Sequence, residues 1–323
     1  MLYLAPLQGY TNYIFRNAYN SFFDGIDVAI SPFGSLVDGK RVKLSHLKDV
    51  LPENNSGMKV IPQILGYNPE QFIIMARDLY NLGYESINWN LGCPVSGIAQ
   101  KKRGSGMLPY PQLIEETLNE ILPKIPNKLS IKSRLGYFNN KELLNVLPVL
   151  NSFPLEFLNI HPRIGKQMYK GELDLEAFSS CVKICEHRII FSGDIIDYYF
   201  YNKMKNKFPS INDWMLGRGL LSNLFLPNEI LQKENISDEE KLKIFSSFVN
   251  ELFEETKNTS TADVHLLNKM KEYWKYFKNM FDEGDEIFNT LKFIQDVEKF
   301  SNTTNEILFE TNIVFSSLNS KKI

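Results

Sequence analysis

The sequence predicts a parallel (β/α)8 barrel, residues 1–226, followed by a smaller all-helical domain, residues 227–323. Two patterns predict this division. In the first part, eight short runs rich in β-branched or aromatic residues alternate with amphipathic stretches at helical spacing. In the second part, long helical patterns follow one another with no strand-like run between them. A doubly wound α/β sheet is the alternative for the first part, and the length of 323 residues is ample for two domains.

The predicted strands are short apolar runs bounded by turn residues. They cover residues 2–5, 27–31, 59–65, 86–92, 129–134, 156–162, 188–193 and 213–219. The helical stretches between them cover residues 68–83, 109–122, 140–151, 174–185 and 197–207. In the first helical stretch, Pro69 near the start and Gly83 at the end are typical boundary residues. The connection over residues 32–58 is longer and shows a less regular helical pattern.

In the second part, two long amphipathic segments begin near residues 237 and 262. Ser237 and Glu240 have the spacing of a capping box at the start of the first segment. The second segment alternates lysines with aromatic residues, and Lys271, Lys275 and Lys278 share one helical face by spacing. We expect the aromatic residues to lie in the core of the helical domain.

Composition predicts a globular cytoplasmic protein with no membrane span. Hydrophobic residues make up 43% and charged residues 23% of the chain, and no run of about 18 apolar residues occurs. The three cysteines, Cys93, Cys181 and Cys185, form no disulfide framework. We expect Cys181 and Cys185 to be core residues and no metal site to be present. The net charge of −2 leaves room for a polyanion partner, because a local basic strip can bind phosphates.

Unusual residues fall where the predicted strands end, which is where a parallel barrel carries its chemistry. They are Pro6, Leu7 and Gln8; Gln63; Asn90 and Cys93; Lys132 and Arg134; His161 and Arg163; Ser192, Gly193 and Asp194; and Gly217 and Arg218. Polar residues inside a strand are unfavourable if they are buried without a partner. Their clustering at strand ends therefore predicts a polar ligand at one end of the barrel.

Glycine turns follow the last two predicted strands, in "FSGD" and "LGRG". Backbone N–H groups in such turns converge on anions, and many barrels bind a phosphate between these two loops. The alternative is a pair of ordinary tight turns. Lys132 is suited to stabilise charge that develops on an electron-rich ring, or alternatively to form a salt bridge.

Taken together, the motifs resemble those of the tRNA-dihydrouridine synthase family. The matching segments, in the same order and spacing, are "LAPLQGYTNYIFR", "PQILG", "INWNLGCP" with "GSGML", "IKSRLG", "IHPRIGKQMYKGELD", "SGDI" and "MLGRGLLSN". The resemblance covers about 220 residues and extends more faintly through "MKEYWKYF" into the helical part. The chain departs from the family pattern in "HPRIGKQ", with proline and isoleucine in place of glycine and threonine, and in the serine of "FSGD".

The resemblance implies a flavoenzyme that uses FMN, reduced by NADPH, to reduce a uridine of the tRNA D-loop. It places the turn of Pro6, Leu7 and Gln8 against the isoalloxazine ring and Gln63 on its pyrimidine edge. Lys132 would lie near N1 and O2 of the ring, and Asn90 would orient the flavin or the uracil. The implied phosphate contacts are His161, Ser192, Gly193, Asp194, Gly217 and Arg218.

Cys93 is the implied general acid. Hydride addition at C6 of uracil leaves enolate character that requires a proton at C5, and a thiol is mostly protonated near neutral pH. A lone cysteine is often only a small buried hydrophobe, but its Gly-Cys-Pro setting at a strand end favours the catalytic role.

The uridine must leave its stack to reach such a site, so protein groups must hold the RNA backbone. The residues predicted to contact tRNA are Lys101, Lys102, Arg103, Arg134, Arg163, Lys166, Gln167 and Tyr169 near the strand ends, with Lys271, Lys275 and Lys278 in the helical part. The alternative for the Lys101–Arg103 run is a solvated loop. We expect a monomer that binds tRNA and not DNA.

Three other functions are compatible with parts of the sequence. A flavin-dependent barrel acting on a free pyrimidine would explain the strand ends but not the lysine face of the helical part. A non-catalytic RNA-binding protein would not explain Cys93, Lys132 and Gln63. A phosphate-binding aldolase or isomerase would use Lys132 to form a Schiff base.

Overall fold

The computed structural model describes residues 1–35, 47–233, 236–309 and Phe315. The chain divides into two compact units. The first comprises Met1–Tyr13, Asp27–Gly193 and Lys205–Leu216, and the second comprises Ile14–Ile26, Asp194–Met204 and Gly217–Ile323. The second unit therefore includes residues 14–26, 194–204 and 217–226 of the predicted barrel in addition to the predicted helical region.

The first unit contains a ring of parallel strands. The strands are β1 (Leu2–Leu4), β2 (Val28–Ile30), β3 (Gly34–Ser35), β4 (Lys59–Ile61), β5 (Gln63–Leu65), β6 (Ser86–Leu91), β7 (Lys128–Gly136), β8 (Leu158–Ile164), β9 (Ile189–Ser192) and β10 (Asp213–Leu216). Hydrogen-bonded neighbours follow the order β3, β5, β6, β7, β8, β9, β10, β1, β2, β4, and every pair is parallel. Only Pro62 separates β4, at one end of this order, from β5, next to the other end, so the barrel is nearly closed. The predicted barrel is confirmed, and the open, doubly wound sheet is excluded.

Pro62 explains why one predicted strand, residues 59–65, is divided into β4 and β5. Proline has no backbone N–H and cannot donate to a neighbouring strand. Its carbonyl still accepts from the Asn88 N–H at 2.8 Å. The interruption leaves Gln63 as the first residue of β5, paired in register with Asn88 of β6.

The interior of the barrel has an apolar side and a polar side. The apolar cluster consists of Tyr3, Ala5, Val28, Ile30, Ile61, Phe157, Ile190 and Met215. The buried polar side chains come mainly from β5 to β8 and include Gln63, Asn88, Asn90, Ser130 and Asn159. Because side chains alternate between the two faces of a strand, the polar residues two apart on β6 lie on the same face. The polar side of the barrel is where the predicted site residues of β5 to β8 lie.

The helices of the first unit lie between the strands, and the longer ones are close to their predicted positions. They are α2 (Pro69–Asn81), α3 (Ser96–Ala99), α4 (Pro111–Ile121), α5 (Glu142–Asn151) and α6 (Leu175–Ile184), while α7 (Tyr198–Lys207) has residues in both units. The Asn68 side chain caps α2 by accepting from the Gln71 N–H at 3.0 Å. Gly83 follows this helix with a φ of +96°, a conformation that favours glycine. Residues 36–46 of the irregular connection lie outside the described residues.

The second unit is helical. Its helices are α1 (Tyr13–Phe22), α8 (Arg218–Ser222), α9 (Leu226–Ile230), α10 (Asp238–Thr259), α11 (Asp263–Phe277), α12 (Gly284–Lys292) and α13 (Val297–Phe309). Ser237 caps α10, as predicted, by accepting from the Glu240 N–H at 3.2 Å. Tyr273, Trp274 and Phe277 of α11 are buried, which confirms their predicted place in the core. Among the described residues, no helix combines the length and hydropathy that crossing a membrane requires.

Candidate active site

Cys93 lies in a loop that is held from two sides. The Asn90 carboxamide oxygen accepts hydrogen bonds from the backbone N–H groups of Gly92 at 3.0 Å and Cys93 at 2.8 Å. On the other side, the Cys93 carbonyl accepts from both the N–H and the hydroxyl of Ser105, at 3.0 and 2.9 Å. Gly104 has a φ of +57°, and a Cβ there would lie 2.7 Å from the Cys93 carbonyl oxygen. A glycine is therefore needed for the two segments to approach so closely.

The environment of Cys93 favours a protonated thiol. The residue is half-buried, and burial raises the pKa of its thiol above the ordinary value. The Val95 backbone N–H and the positive charge of Arg134 oppose this rise in pKa only partly. At neutral pH the sulfur thus carries its proton and is suited to give it to a substrate.

A chain of buried side-chain hydrogen bonds runs across β7, β6 and β5. The Ser130 hydroxyl donates to the Ile87 carbonyl at 3.0 Å and accepts from the Asn88 amide at 2.9 Å. The Asn88 carbonyl oxygen accepts from the Gln63 amide at 2.7 Å. The Gln63 carbonyl oxygen accepts in turn from the Asn90 amide at 2.7 Å. Gln63, Asn88 and Ser130 therefore each accept one hydrogen bond and donate another, always in the direction from Asn90 to Ser130.

This direction determines which atom of Asn90 faces the Cys93 loop. Because the Asn90 amide group donates to Gln63, its carbonyl oxygen is left to accept from the Gly92 and Cys93 N–H groups. A reversed Asn90 would set its own N–H groups against these two donors. Neither Asn88 nor Ser130 was among the predicted site residues, although the polar alternation "NWN" on β6 was a visible signal.

Lys132 lies on β7 between two carboxamides, paired in register with Asn90 on β6 and with Asn159 on β8. Burial and, to a lesser extent, the positive charge of Arg134 together lower the pKa of its ammonium from 10.5 to about 7. Within the residues that the structure describes, Lys132 has no hydrogen-bond or ion-pair partner for its side chain. The salt bridge considered as an alternative from the sequence is not formed there.

Asn159 contributes a second unmatched group to the same face. Its amide donates to the Ile190 carbonyl at 3.3 Å, but its buried carbonyl oxygen has no hydrogen-bond partner among the described residues. A buried acceptor without a donor is unfavourable, and so is a buried ammonium without an acceptor. A bound ring with both acceptor and donor atoms would satisfy both groups. The interior residues thus fit a polar heterocycle such as a flavin.

Two of the predicted tRNA contacts are buried in the structure. Arg134 is buried, and its guanidinium donates to the carbonyls of Gly92 at 3.0 Å, Ile164 at 3.1 Å and Met168 at 2.6 Å. Arg163 is also buried and donates twice to the Gly171 carbonyl, at 3.2 and 2.7 Å. Most of their donors bond to backbone carbonyls, so both arginines hold loops together, and their contact with tRNA stays a prediction.

The loop after β8 surrounds His161. Arg163 Nη1 lies 3.2 Å from His161 Nε2, and the Tyr169 ring stacks on the imidazole with centroids 6.5 Å apart. The Arg134 guanidinium lies 5.2 Å from the centroid of the same Tyr169 ring. His161 is therefore held in place by its neighbours on this loop.

The remaining predicted ligand residues occupy strand ends and turns. Ser192 ends β9, in register with Met215 of β10, and Gly193 follows it. Leu7 packs against the apolar cluster of the barrel, Pro6 is half-buried, and Gln8 is exposed. In the second unit, Arg218 forms an ion pair with Asp194 at 3.2 Å, and Gly217 directly precedes α8.

The other predicted RNA contacts differ in exposure. In the first unit Lys101, Lys102, Lys166 and Tyr169 are exposed, whereas Arg103 and Gln167 are half-buried. Gln167 accepts from the Ile164 N–H at 2.8 Å.

In the second unit each lysine of the predicted face has a partner. Lys271 donates to the Ile294 carbonyl at 2.5 Å. Lys275 pairs with Glu272, and Lys278 pairs with Asp285 at 2.6 Å. This lysine face is partly neutralised.

Comparison with known proteins identifies the family. The family model described as "Dihydrouridine synthase (Dus)" matches residues 3–313. The chain belongs to the dihydrouridine synthase family. Its members are flavin-dependent oxidoreductases, which gives the enzyme class of this chain and excludes the Schiff-base aldolase.

Individual relatives agree with this assignment. The tRNA-dihydrouridine synthase B of Pasteurella multocida is 25% identical over 263 residues, covering 78% of this chain and 77% of the relative. The tRNA-dihydrouridine(16) synthase of Neisseria meningitidis serogroup A is 25% identical over 323 residues, covering 96% and 95%. The chain thus matches nearly the whole length of a curated dihydrouridine synthase.

Solved structures support the barrel fold. An old yellow enzyme homologue from Zymomonas mobilis aligns with a TM-score of 0.51 at 10% identity, covering 74% of this chain and 90% of that one. The old yellow enzyme from Trypanosoma cruzi aligns with a TM-score of 0.51 at 7% identity, covering 77% and 93%. At these identities the likeness concerns the fold alone.

The hydrogen-bond chain predicts different effects for two serines of β7. Ser130→Ala leaves the buried Asn88 amide without its acceptor, so we expect the free energy of unfolding to fall by about 1 to 3 kcal/mol. Ser133→Ala is the matched control, because Ser133 is equally buried on the same strand and donates only to the Arg134 carbonyl. Urea denaturation of both variants checks this. Equal losses of stability would contradict a special role for Ser130.

We expect replacement of Lys132 by an apolar residue to stabilise the flavin-free protein. Its pKa falls from 10.5 to about 7 on folding, so the flavin-free protein is destabilised fully below pH 7 and no longer destabilised above about pH 10.5. Lys132→Met should therefore raise the thermal midpoint of flavin-free protein more at pH 7 than at pH 10. Lys128→Met, at the exposed start of the same strand, is the control and should show no such pH dependence. An equal effect of Lys132→Met at both pH values would refute the lowered pKa.

Proposed function

We propose that this protein is a tRNA-dihydrouridine synthase that holds FMN at the carboxyl-terminal end of its barrel strands, takes electrons from NADPH and reduces a uridine of the tRNA D-loop. The observation that carries the proposal is the protonated, half-buried Cys93 thiol, fixed at the end of β6 next to the strand that bears Lys132. The family assignment and the names of the relatives support the substrate.

The interior residues of the barrel are the proposed contacts of the flavin ring. Gln63 keeps one amide hydrogen and one carbonyl lone pair beyond its bonds to Asn88 and Asn90, and these suit the pyrimidine edge of the ring. Lys132 is the proposed partner of N1 and O2, because an electron-rich ring would stabilise its ammonium. Pro6, Leu7 and Gln8 are the proposed turn against the ring.

The phosphate of FMN is assigned to glycine turns and a histidine. His161 on β8 and Ser192 with Gly193 at the end of β9 are the proposed contacts in the first unit. The resemblance of the motifs assigns the same ligand to Asp194, Gly217 and Arg218, which follow β9 and β10 directly in the chain. Backbone N–H groups of such turns are suited to bind phosphate oxygens.

Cys93 is the proposed acid of the reaction. Bound FMN, when reduced by NADPH, supplies the hydride that adds to C6 of the uracil. The Cys93 thiol then gives its proton to C5, and the raised pKa keeps that proton available at neutral pH. Asn90 and Ser105 fix the backbone of the loop, so the sulfur needs little rearrangement during the step.

The substrate uridine must be extruded from its loop before the chain can act on it. The proposed contacts that hold the RNA in the first unit are Lys101, Lys102, Arg103, Lys166, Gln167 and Tyr169. In the second unit we propose Lys271, Lys275 and Lys278, whose partners are an acidic side chain or a carbonyl that phosphate oxygens could replace. We propose that the protein acts as a cytoplasmic monomer, without contact to DNA.

The absorbance spectrum of the purified protein, followed by anaerobic mixing of its NADPH-reduced form with tRNA that lacks dihydrouridine, tests the proposal. We expect flavin bands that return as the tRNA gains dihydrouridine. Flavin that is reduced by NADPH but not reoxidised by tRNA would instead support an oxidoreductase for a free pyrimidine. A protein without flavin would contradict the proposed function.

Cys93→Ala tests the acid directly. We expect the variant to keep its flavin and to be reduced by NADPH at nearly the wild-type rate, while reduction of tRNA slows by about 100-fold or more because no group supplies the proton. Stopped-flow measurement of the two half-reactions separates these effects. Cys185→Ala, at the other half-buried cysteine, is the control and should leave both rates unchanged. Loss of flavin from Cys93→Ala would show that the role is misassigned.

A further inference from the structure

Phe138 is an exposed aromatic residue at the tip of the turn that follows β7, with 52% of its surface accessible. The turn itself is rigidly built. The buried Glu142 carboxylate accepts from the backbone N–H groups of Tyr137 at 2.6 Å, Phe138 at 3.2 Å and Asn139 at 3.1 Å. A buried carboxylate thus fixes the backbone of a turn whose outermost side chain is apolar and points to solvent.

A second loop joins this turn. The Lys166 N–H donates to the Tyr137 carbonyl at 3.1 Å, and the Lys166 ammonium lies 4.8 Å from the centroid of the Phe138 ring. Gly165 lies against the Tyr137 ring, and a Cβ at this position would come within 2.3 Å of it. Phe138 and Lys166 therefore form a pair whose backbones are held together from two adjacent strands, β7 and β8.

The loops around this pair are rich in positive charge. Residues 92–110, 134–141 and 161–171, at the ends of β6, β7 and β8, contain no Asp or Glu. Of the acidic residues just beyond them, Glu142 and Asp174 accept from backbone N–H groups, and Glu172 is exposed. The basic residues of these segments are Lys101, Lys102, Arg103, Lys141, Lys166 and Lys170, besides the buried Arg134 and Arg163. The whole chain has more acidic than basic residues, 38 against 36, so this segregation of charge favours a polyanion at these loops.

We propose that Phe138 and Lys166 form a nucleotide platform, on which one unpaired base of the RNA stacks against the Phe138 ring while Lys166 pairs with its phosphate. This inference rests on the proposed function, because extrusion of a uridine leaves its neighbours without a stacking partner. An aromatic ring offers such a base a new partner irrespective of its identity. Tyr169 is less exposed than Phe138, 44% against 52%, and its ring stacks on the buried His161.

The test uses flavin-loaded full-length protein and measures two quantities: the affinity for tRNA lacking dihydrouridine, by fluorescence anisotropy, and the rate of flavin reduction by NADPH. Phe138→Ala and Phe138→Leu should each weaken tRNA binding about tenfold, because leucine keeps the apolar surface but not the flat ring. Phe138→Tyr should bind nearly as wild type. Tyr80→Ala is the control, because Tyr80 is an aromatic residue on α2 with a similar exposure of 45%.

Lys166→Gln tests the ionic half of the platform. We expect weaker tRNA binding and a smaller dependence of the binding constant on salt concentration, with the slope reduced by about one. Unaltered flavin absorbance and NADPH reduction in all variants would show that the proteins are folded.

Three outcomes would overturn the inference. If the wild type reduces tRNA while Phe138→Ala binds it as tightly, the platform fails and the proposed function stands. If Phe138→Leu binds as tightly as wild type, the contact is apolar and not a stacking platform. A wild-type protein that neither binds nor reduces tRNA would overturn both the platform and the proposed function.

Discussion

One run of hydrogen bonds inside the barrel fixes the loop that carries Cys93. It starts at the Ser130 hydroxyl, passes through the carboxamides of Asn88, Gln63 and Asn90, and ends on the backbone N–H groups of the Cys93 loop. Its members come from three adjacent strands, so the register of β5, β6 and β7 is a condition for it. The chain of bonds in turn presents Gln63 to the barrel interior in a single orientation. Structure and proposed chemistry thus depend on the same buried polar residues.

The same interior keeps two groups unmatched. Lys132 has a lowered pKa of about 7, and the Asn159 carbonyl oxygen has no protein donor. Such groups are unfavourable for folding, and they persist where a ligand satisfies them. Around the rim the situation is the reverse, because Arg134 and Arg163 satisfy backbone carbonyls and make the loops rigid. Hydrogen bonds therefore stabilise these loops, whereas the face that would receive the cofactor carries groups that destabilise the fold.

Much of this fold could be predicted from the sequence. Apolar runs and helical spacing located the barrel strands, because both patterns are local. The division of the chain into units was less accessible: α1 has an ordinary amphipathic pattern, and only tertiary contacts group residues 14–26 with the helical unit. Arg134 and Arg163 were expected to meet RNA because sequence shows charge but not burial. Asn88 and Ser130 were missed because their importance lies in partners on neighbouring strands.

The pH dependence of a single turnover, in which NADPH-reduced protein converts uridine to dihydrouridine in tRNA, tests the central claim that Cys93 acts as a protonated acid. Burial raises the pKa of this thiol, so the rate should stay constant through neutral pH and fall only above the ordinary thiol pKa of about 8.5. Cys93→Ser should lose this alkaline fall, since a hydroxyl does not ionise in that range. A wild-type rate that rises with pH through the same range would contradict the account, because it would require the thiolate.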